Sequence, residues 1–190
     1  LITPYYNKPT QEGLYRHYMA VAAAVDLPLL LYNIPGRTGV NMLPTTIARL
    51  SEMKTIVGVK EGSGSVQQAS DIVQMCGDRL TVLAGDDSLT LPMMAVGGKG
   101  VITVTANIVP MEMAGLVKAF AEGRIDEARR IHFKLSPLFA ALFYETNPIP
   151  VKEALGLMRK IDPELRLPLC AMAQDTREKL ILVLKDAALI

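Results

Sequence analysis

The sequence predicts an α/β fold assembled from repeated βα units, on three observations. Short β-rich runs alternate with amphipathic stretches as far as Ile108. Those runs are continuously apolar, as in VGV before Lys60 and LPLLLY before Asn33, and each ends in polar or glycine-rich residues. Strands separated by helical patterns read as units of a parallel sheet. Parallel strands are buried on both faces and so lose the alternation of half-exposed ones.

In chain order, the strand candidates are residues 1–3, 28–32, 55–60, 80–84 and 100–104, with helical stretches at 11–25, 44–53, 65–76 and 88–96. Beyond Ile108 the pattern is helical only, at 110–122, 125–143, 148–159 and 176–187. Pro110 opens one helix, where its missing N–H costs nothing. Asp126 and Glu127 sit in the first turn of the next, where the helix dipole favours acidic groups. This change predicts two domains, residues 1–123 with the βα units and residues 124–190 all helical. Five βα units suit either an open doubly wound sheet or an arc of an eight-stranded barrel. An arc exposes apolar strand edges, so the barrel needs three strands from elsewhere. The opening LITPYYN reads as the tail of a strand, and the expectation is that an earlier part of the protein precedes it.

Composition narrows the partners. With 50% hydrophobic residues and a net charge of +1, the 190 residues can build a globular core but carry no electrostatic footprint for nucleic acid or anionic membrane. The apolar run 19–34 is broken by Asp26 and Pro28, so no membrane span is expected. No basic segment precedes an apolar one, and the cytoplasm is the expected location. Cys76 and Cys170 lie outside any C-x-x-C pair, which argues against a disulfide framework or a zinc site.

The residues with chemistry gather at strand ends: TPYYN, YNIPGRTG, VKEGSG, AGDD and TVTAN. Catalytic groups of (β/α) barrels cluster there, where loops converge over the packed interior. Lys60 ends the third run. Strict alternation puts Ile56, Gly58 and Lys60 on one face and Val57, Val59 and Glu61 on the other. With the valines under helices, Lys60 points into the lumen beside the gap left by Gly58. A free lysine, with a pKa of about 10.4, is neutral at pH 7 in roughly one molecule in a few thousand. A Schiff-base lysine therefore needs burial to lower that value. The alternative is an ammonium that snorkels to solvent. Tyr32, one unit earlier, is either a proton relay or a core tyrosine with a wet hydroxyl. Arg37 falls in a Pro-Gly loop, where its guanidinium either forks onto a substrate carboxylate or meets only solvent. The glycine-rich GVKEGSG and VGGKG lack phosphate-loop spacing and read as turns. Asp86–Asp87, His17 and His132 have no ligand partners at metal spacing, and the ten methionines read as core filler.

Taken together, TPYYNKPTQEGLY, YNIPGRTG, GVKEGSG, AGDD and GVITVTAN resemble the dihydrodipicolinate synthase and N-acetylneuraminate lyase family of pyruvate-dependent class I lyases. The resemblance runs from Leu1 to the end. It implies a (β/α)8 TIM barrel, with five of its strands in this chain, followed by a C-terminal helical domain. It also implies roles. Lys60 forms the imine with pyruvate, and Tyr32 moves protons. Tyr6 enters a neighbouring subunit's site to complete the relay. Arg37 binds the carboxylate of aspartate semialdehyde, Gly85 and Ile102 line the pyruvate pocket, and Tyr5 forms one wall of a lysine feedback site.

Arg37 and the later NPIPVKEAL resemble the synthase branch. The implied reaction condenses pyruvate with L-aspartate 4-semialdehyde to 4-hydroxy-tetrahydrodipicolinate, on the diaminopimelate route to lysine. No metal or organic cofactor is implied, because the imine is the electron sink. A homotetramer, built as a dimer of dimers, is the implied assembly. About 100 residues of the family pattern are absent from the N-terminal side, with the loop that holds the pyruvate carboxylate, so the chain alone is expected to lack normal activity. The alternatives are a sialate lyase or 2-keto-3-deoxy sugar acid aldolase, or a non-catalytic barrel fragment.

Overall fold

The apolar run LLLYN becomes strand β1, Leu29–Asn33, in a computed structural model that describes residues 1–190. Three more strands follow: β2 Ile56–Glu61, β3 Thr81–Ala84 and β4 Gly100–Val101. All pair in parallel in the order β1-β2-β3-β4. The strand expected at residues 1–3 is a single parallel bridge, Ile2 to Tyr32, on the free side of β1. Thr3 holds it there, donating from both N–H (3.0 Å) and Oγ1 (2.8 Å) to the Tyr32 carbonyl. The sheet is thus an arc of five consecutive strand positions with both edges open.

The last strand is shorter than expected. After Ile102 donates its N–H to the Ala84 carbonyl at 2.9 Å, the Thr103 hydroxyl accepts from the Ala106 N–H at 3.1 Å. That side-chain bond starts a turn at Thr105–Asn107 and ends the ladder.

Helices between the strands cover one side of the sheet. α1, Gln11–Ala24, is capped by the Thr10 hydroxyl. α2, Pro35–Thr38, was not expected: Pro35 presets its first turn and Gly39, at φ 70°, stops it in the left-handed region. α3, Pro44–Leu50, and α4, Val66–Cys76, follow, the second capped by Ser65. α5, Thr90–Ala95, starts later than expected because Asp86 caps a tight turn at Asp87–Leu89 first.

The two sheet faces differ. Leu31, Val59, Val82 and Ala84 lie in one buried cluster with Leu14, Tyr18, Ile47, Ala69 and Ile72 from the helices. One lateral row on the other face runs Tyr32, Lys60, Leu83 and Gly100 across the four strands, and its three side chains are only half-buried.

Strict alternation fails at one place. Leu29 pairs with Ile56 but Leu30 pairs with Gly58, so Val57 is an extra residue in β2. This bulge puts Ile56 in the helix-side cluster rather than with Gly58 and Lys60, and leaves Val57 42% exposed rather than packed under helices. From Gly58 onward the expected facing holds.

The chain packs as two compact units, Leu1–Ile102 and Thr103–Ile190. In the second unit α6, Pro110–Ala121, packs on α7, Ile125–Ala141. α9, Gln174–Asp186, packs on both α7 and α8, Ile149–Leu157. Leu116, Leu138, Leu142, Ala154, Leu180 and Leu184 are buried in this unit. No helix of the chain is long and apolar enough to cross a membrane.

Candidate active site

Lys60 and Tyr32 are lateral neighbours near the C-terminal ends of β2 and β1. The Lys60 ammonium lies over the Tyr32 ring, with Nζ 4.3 Å from the centroid. Two opposing effects act on that amine. The ring face favours the charged form by about 0.5–1 kcal/mol at a partly exposed site. Burial disfavours it, and burial is the largest influence on its pKa, which lies below the ordinary lysine value. Asp87, buried at the head of the turn after β3, pulls the value back up, while the positive charge of Arg37 pushes it further down. Tyr32 is shifted the opposite way. Burial raises its phenol above the usual value and Arg37 opposes that.

Arg37 sits on the exposed side of α2, near enough for its charge to act on both groups. Gly85 follows β3, and its N–H donates to the Glu61 carbonyl at 2.7 Å. A Cβ there would come within 2.8 Å of Gly62 Cα and 2.9 Å of the Glu61 oxygen, so only glycine lets the two strand-end loops close beside Lys60. Ile102 follows β4 and is 38% exposed.

The fold therefore brings Lys60, Tyr32, Arg37, Gly85 and Ile102 to one end of one sheet. Tyr5 and Tyr6 do not join them. They are 63% and 92% exposed, and no hydrogen bond or ring contact ties either to Lys60 or Tyr32. Tyr6 also has φ 57°, a conformation that L-residues seldom adopt.

Sequence reasoning missed two contributors. Asp87 looked inert without a metal partner, yet its charge reaches the lysine. Glu61 appeared only as the residue on the far face, yet it is a buried carboxylate that accepts three hydrogen bonds. The available signal was that Asn33 and Glu61 each follow the key residue of their strand.

A parallel βα arc with a half-buried lysine set over a tyrosine ring at its strand ends defines the chain as an α/β protein. Comparison with known proteins gives the family. The Dihydrodipicolinate synthetase family matches residues 1–187, and the chain belongs to it. It is 60% identical over 190 residues to the 4-hydroxy-tetrahydrodipicolinate synthase of Geotalea daltonii, covering 100% of this chain and 66% of that protein. Among solved structures it is similar to dihydrodipicolinate synthase from Thermotoga maritima (46% identity, TM-score 0.97, covering 100% of this chain and 65% of that one). The chloride-inhibited dihydrodipicolinate synthase from Acinetobacter baumannii, complexed with pyruvate, matches with the same identity, TM-score and coverage. The fold is accordingly that of the (β/α)8 barrel, of which this sheet is a consecutive arc. The chain spans about two thirds of the length of the curated relatives it matches, 66% for the first.

Proposed function

We propose that this chain carries the Schiff-base half-site of a 4-hydroxy-tetrahydrodipicolinate synthase, a carbon–oxygen lyase that condenses pyruvate with L-aspartate 4-semialdehyde. The observation that carries the reading is the Lys60 amine, depressed in pKa by burial and seated over the Tyr32 ring.

The chemistry follows from those two groups. Neutral Nζ attacks the pyruvate carbonyl, and the Tyr32 hydroxyl passes a proton to the carbinolamine oxygen so that water leaves. The product is a cationic iminium, and unlike the free amine it gains from the ring face beneath it. The iminium acidifies the pyruvate methyl group. Loss of a proton gives the enamine, whose carbon adds to the semialdehyde carbonyl. Attack of the substrate's own amine on the imine carbon then closes the ring and frees Lys60. Arg37 would hold the semialdehyde carboxylate, with Gly85 and Ile102 beside the pyruvate. Tyr6, exposed and held away from Lys60 of its own chain, would complete the proton relay of a second subunit in a homotetramer, and Tyr5 would border a lysine feedback site. Residues 1–123 would form barrel and 124–190 the helical domain, in a cytoplasmic protein.

The half-open face that carries Lys60 would be closed by further strands. Turnover by the 190-residue polypeptide alone is therefore expected to fall below that of the polypeptide mixed with the first hundred or so residues of a relative. Borohydride reduction in the presence of pyruvate, followed by peptide mapping, tests the core of the reading: the adduct belongs on Lys60. Labelling elsewhere, or none, sinks it. Semialdehyde turnover that Arg37→Ala abolishes would separate this reaction from other pyruvate aldolases of the family.

A further inference from the structure

Behind Lys60, on the helix side of the sheet, lies a polar ring that the reaction does not use. The backbone N–H of Met42 donates to Asn33 Oδ1 at 2.9 Å, which fixes the orientation of that amide. Asn33 Nδ2 must then donate, and it does so to Asn41 Oδ1 (2.8 Å) and Glu61 Oε2 (3.0 Å). Asn41 Nδ2 in turn donates to Gln68 Oε1 at 2.8 Å, and Gln68 Nε2 donates to Asn41 Oδ1 (3.1 Å) and Glu61 Oε2 (3.0 Å). The Ser63 N–H takes the other Glu61 oxygen at 2.7 Å. Every amide orientation follows from one backbone donor, and all three bonds to Glu61 come from N–H groups. Only an acceptor-only carboxylate satisfies that set. A glutamine in its place would turn an NH2 toward a donor in either orientation.

Asn33 and Asn41 flank the loop that contains α2 and Arg37, so their mutual bond closes its neck, and Glu61 ties that neck to β2 one residue beyond Lys60. We propose that Glu61 is a positioning residue, which through Asn33, Asn41 and Gln68 fixes where Arg37 stands relative to Lys60. The inference rests on the Schiff-base reading for its chemical readout but not for its structural one. The charged and titratable groups that face Lys60 are Tyr32 from β1, Arg37 from the loop and Asp87 from the turn after β3. Of these, the neck holds the loop that carries Arg37, whose charge favours the neutral amine.

The test compares the wild-type chain with Glu61→Gln, Asn41→Ala, Arg37→Ala and the Glu61→Gln/Arg37→Ala double variant, each checked for folding by thermal melting. Two quantities are read: the pH midpoint of borohydride trapping of pyruvate, and amide hydrogen exchange at residues 37–39. With the neck loosened, exchange at 37–39 should accelerate about tenfold or more. The trapping midpoint should move to higher pH in both neck variants, and Glu61→Gln should add no further shift once Arg37 is gone. An unmoved midpoint overturns the proposal, including when exchange accelerates, because that would be a structural role only. If Glu61→Gln does not fold, Asn41→Ala decides from the loop side of the same neck. If the wild-type chain traps no pyruvate, the lyase reading fails, and the Lys60 midpoint is read instead by NMR titration of its ε-methylene: a rise in Glu61→Gln that is absent once Arg37 is gone supports the neck, and an unmoved midpoint overturns it.

Discussion

The two faces of the sheet are made by the same strands, yet they do opposite work. On the helix side, Leu31, Val59 and Val82 are at most 2% exposed and belong to one cluster with the helices. On the other side, Tyr32, Lys60 and Leu83 form a half-covered row with an ionisable pair at its centre. Within this chain the buried apolar contacts lie on the helix face, and the other face carries the ionisable pair. Period-two alternation makes this division possible, since neighbouring residues of one strand meet different environments.

Four substitutions sharpen or break that contrast. Lys60→Ala should eliminate the borohydride-trapped adduct entirely while leaving the far-UV circular dichroism spectrum unchanged; a persistent adduct would move the chemistry to another amine. Leu31→Ala, two strand positions before Asn33 and wholly buried, should lower unfolding free energy by about 3 kcal/mol in urea titration. Tyr32→Phe should slow trapping about a hundredfold, equivalent to roughly 2.7 kcal/mol, with little change in stability. Leu83→Ala, on the half-covered row, should cost only about 1 kcal/mol, well short of Leu31→Ala. Equal losses at Leu31 and Leu83 would show that the two faces are not distinct.

A smaller effect concerns pH. The folded-state pKa of Lys60 lies below its unfolded value. Between the two the unfolded state binds more protons, so this residue's contribution to stability rises with pH through that window. Below it the partly desolvated cation is a liability. Lys60→Met should therefore be at least as stable as wild type at neutral pH, and that advantage should shrink as pH approaches the ordinary lysine range. Solvent screening of a half-exposed amine keeps the difference small. Urea midpoints at neutral and alkaline pH would measure it.

Much of this was readable from sequence. The apolar runs before Asn33 and Lys60 identify β1 and β2 because strands of parallel sheets carry few polar residues on either face. Lys60 stands out because a cation at the end of such a run needs a reason. The helix boundaries shift where side-chain caps intervene, as Asp86 does before α5 and Thr103 does after β4, since a hydroxyl or carboxylate can divert a backbone N–H that pattern alone assigns to the element. The ring around Glu61 was not readable. Its amides come from positions 28, 20 and 7 residues away, and no local pattern records which of them meet. Asp87 escaped notice for the same reason: its effect on Lys60 depends on a turn that returns it toward β2.

The bulge at Val57 carries one more implication. An odd residue has been admitted to β2 at its entrance, and the disturbance dies out before Gly58 meets Leu30. Length changes upstream of that glycine need not disturb the amine. A single residue inserted after it would rotate Lys60 by half a strand period, off the half-covered face and into the wall of helices, and the strand would keep its shape while losing its purpose.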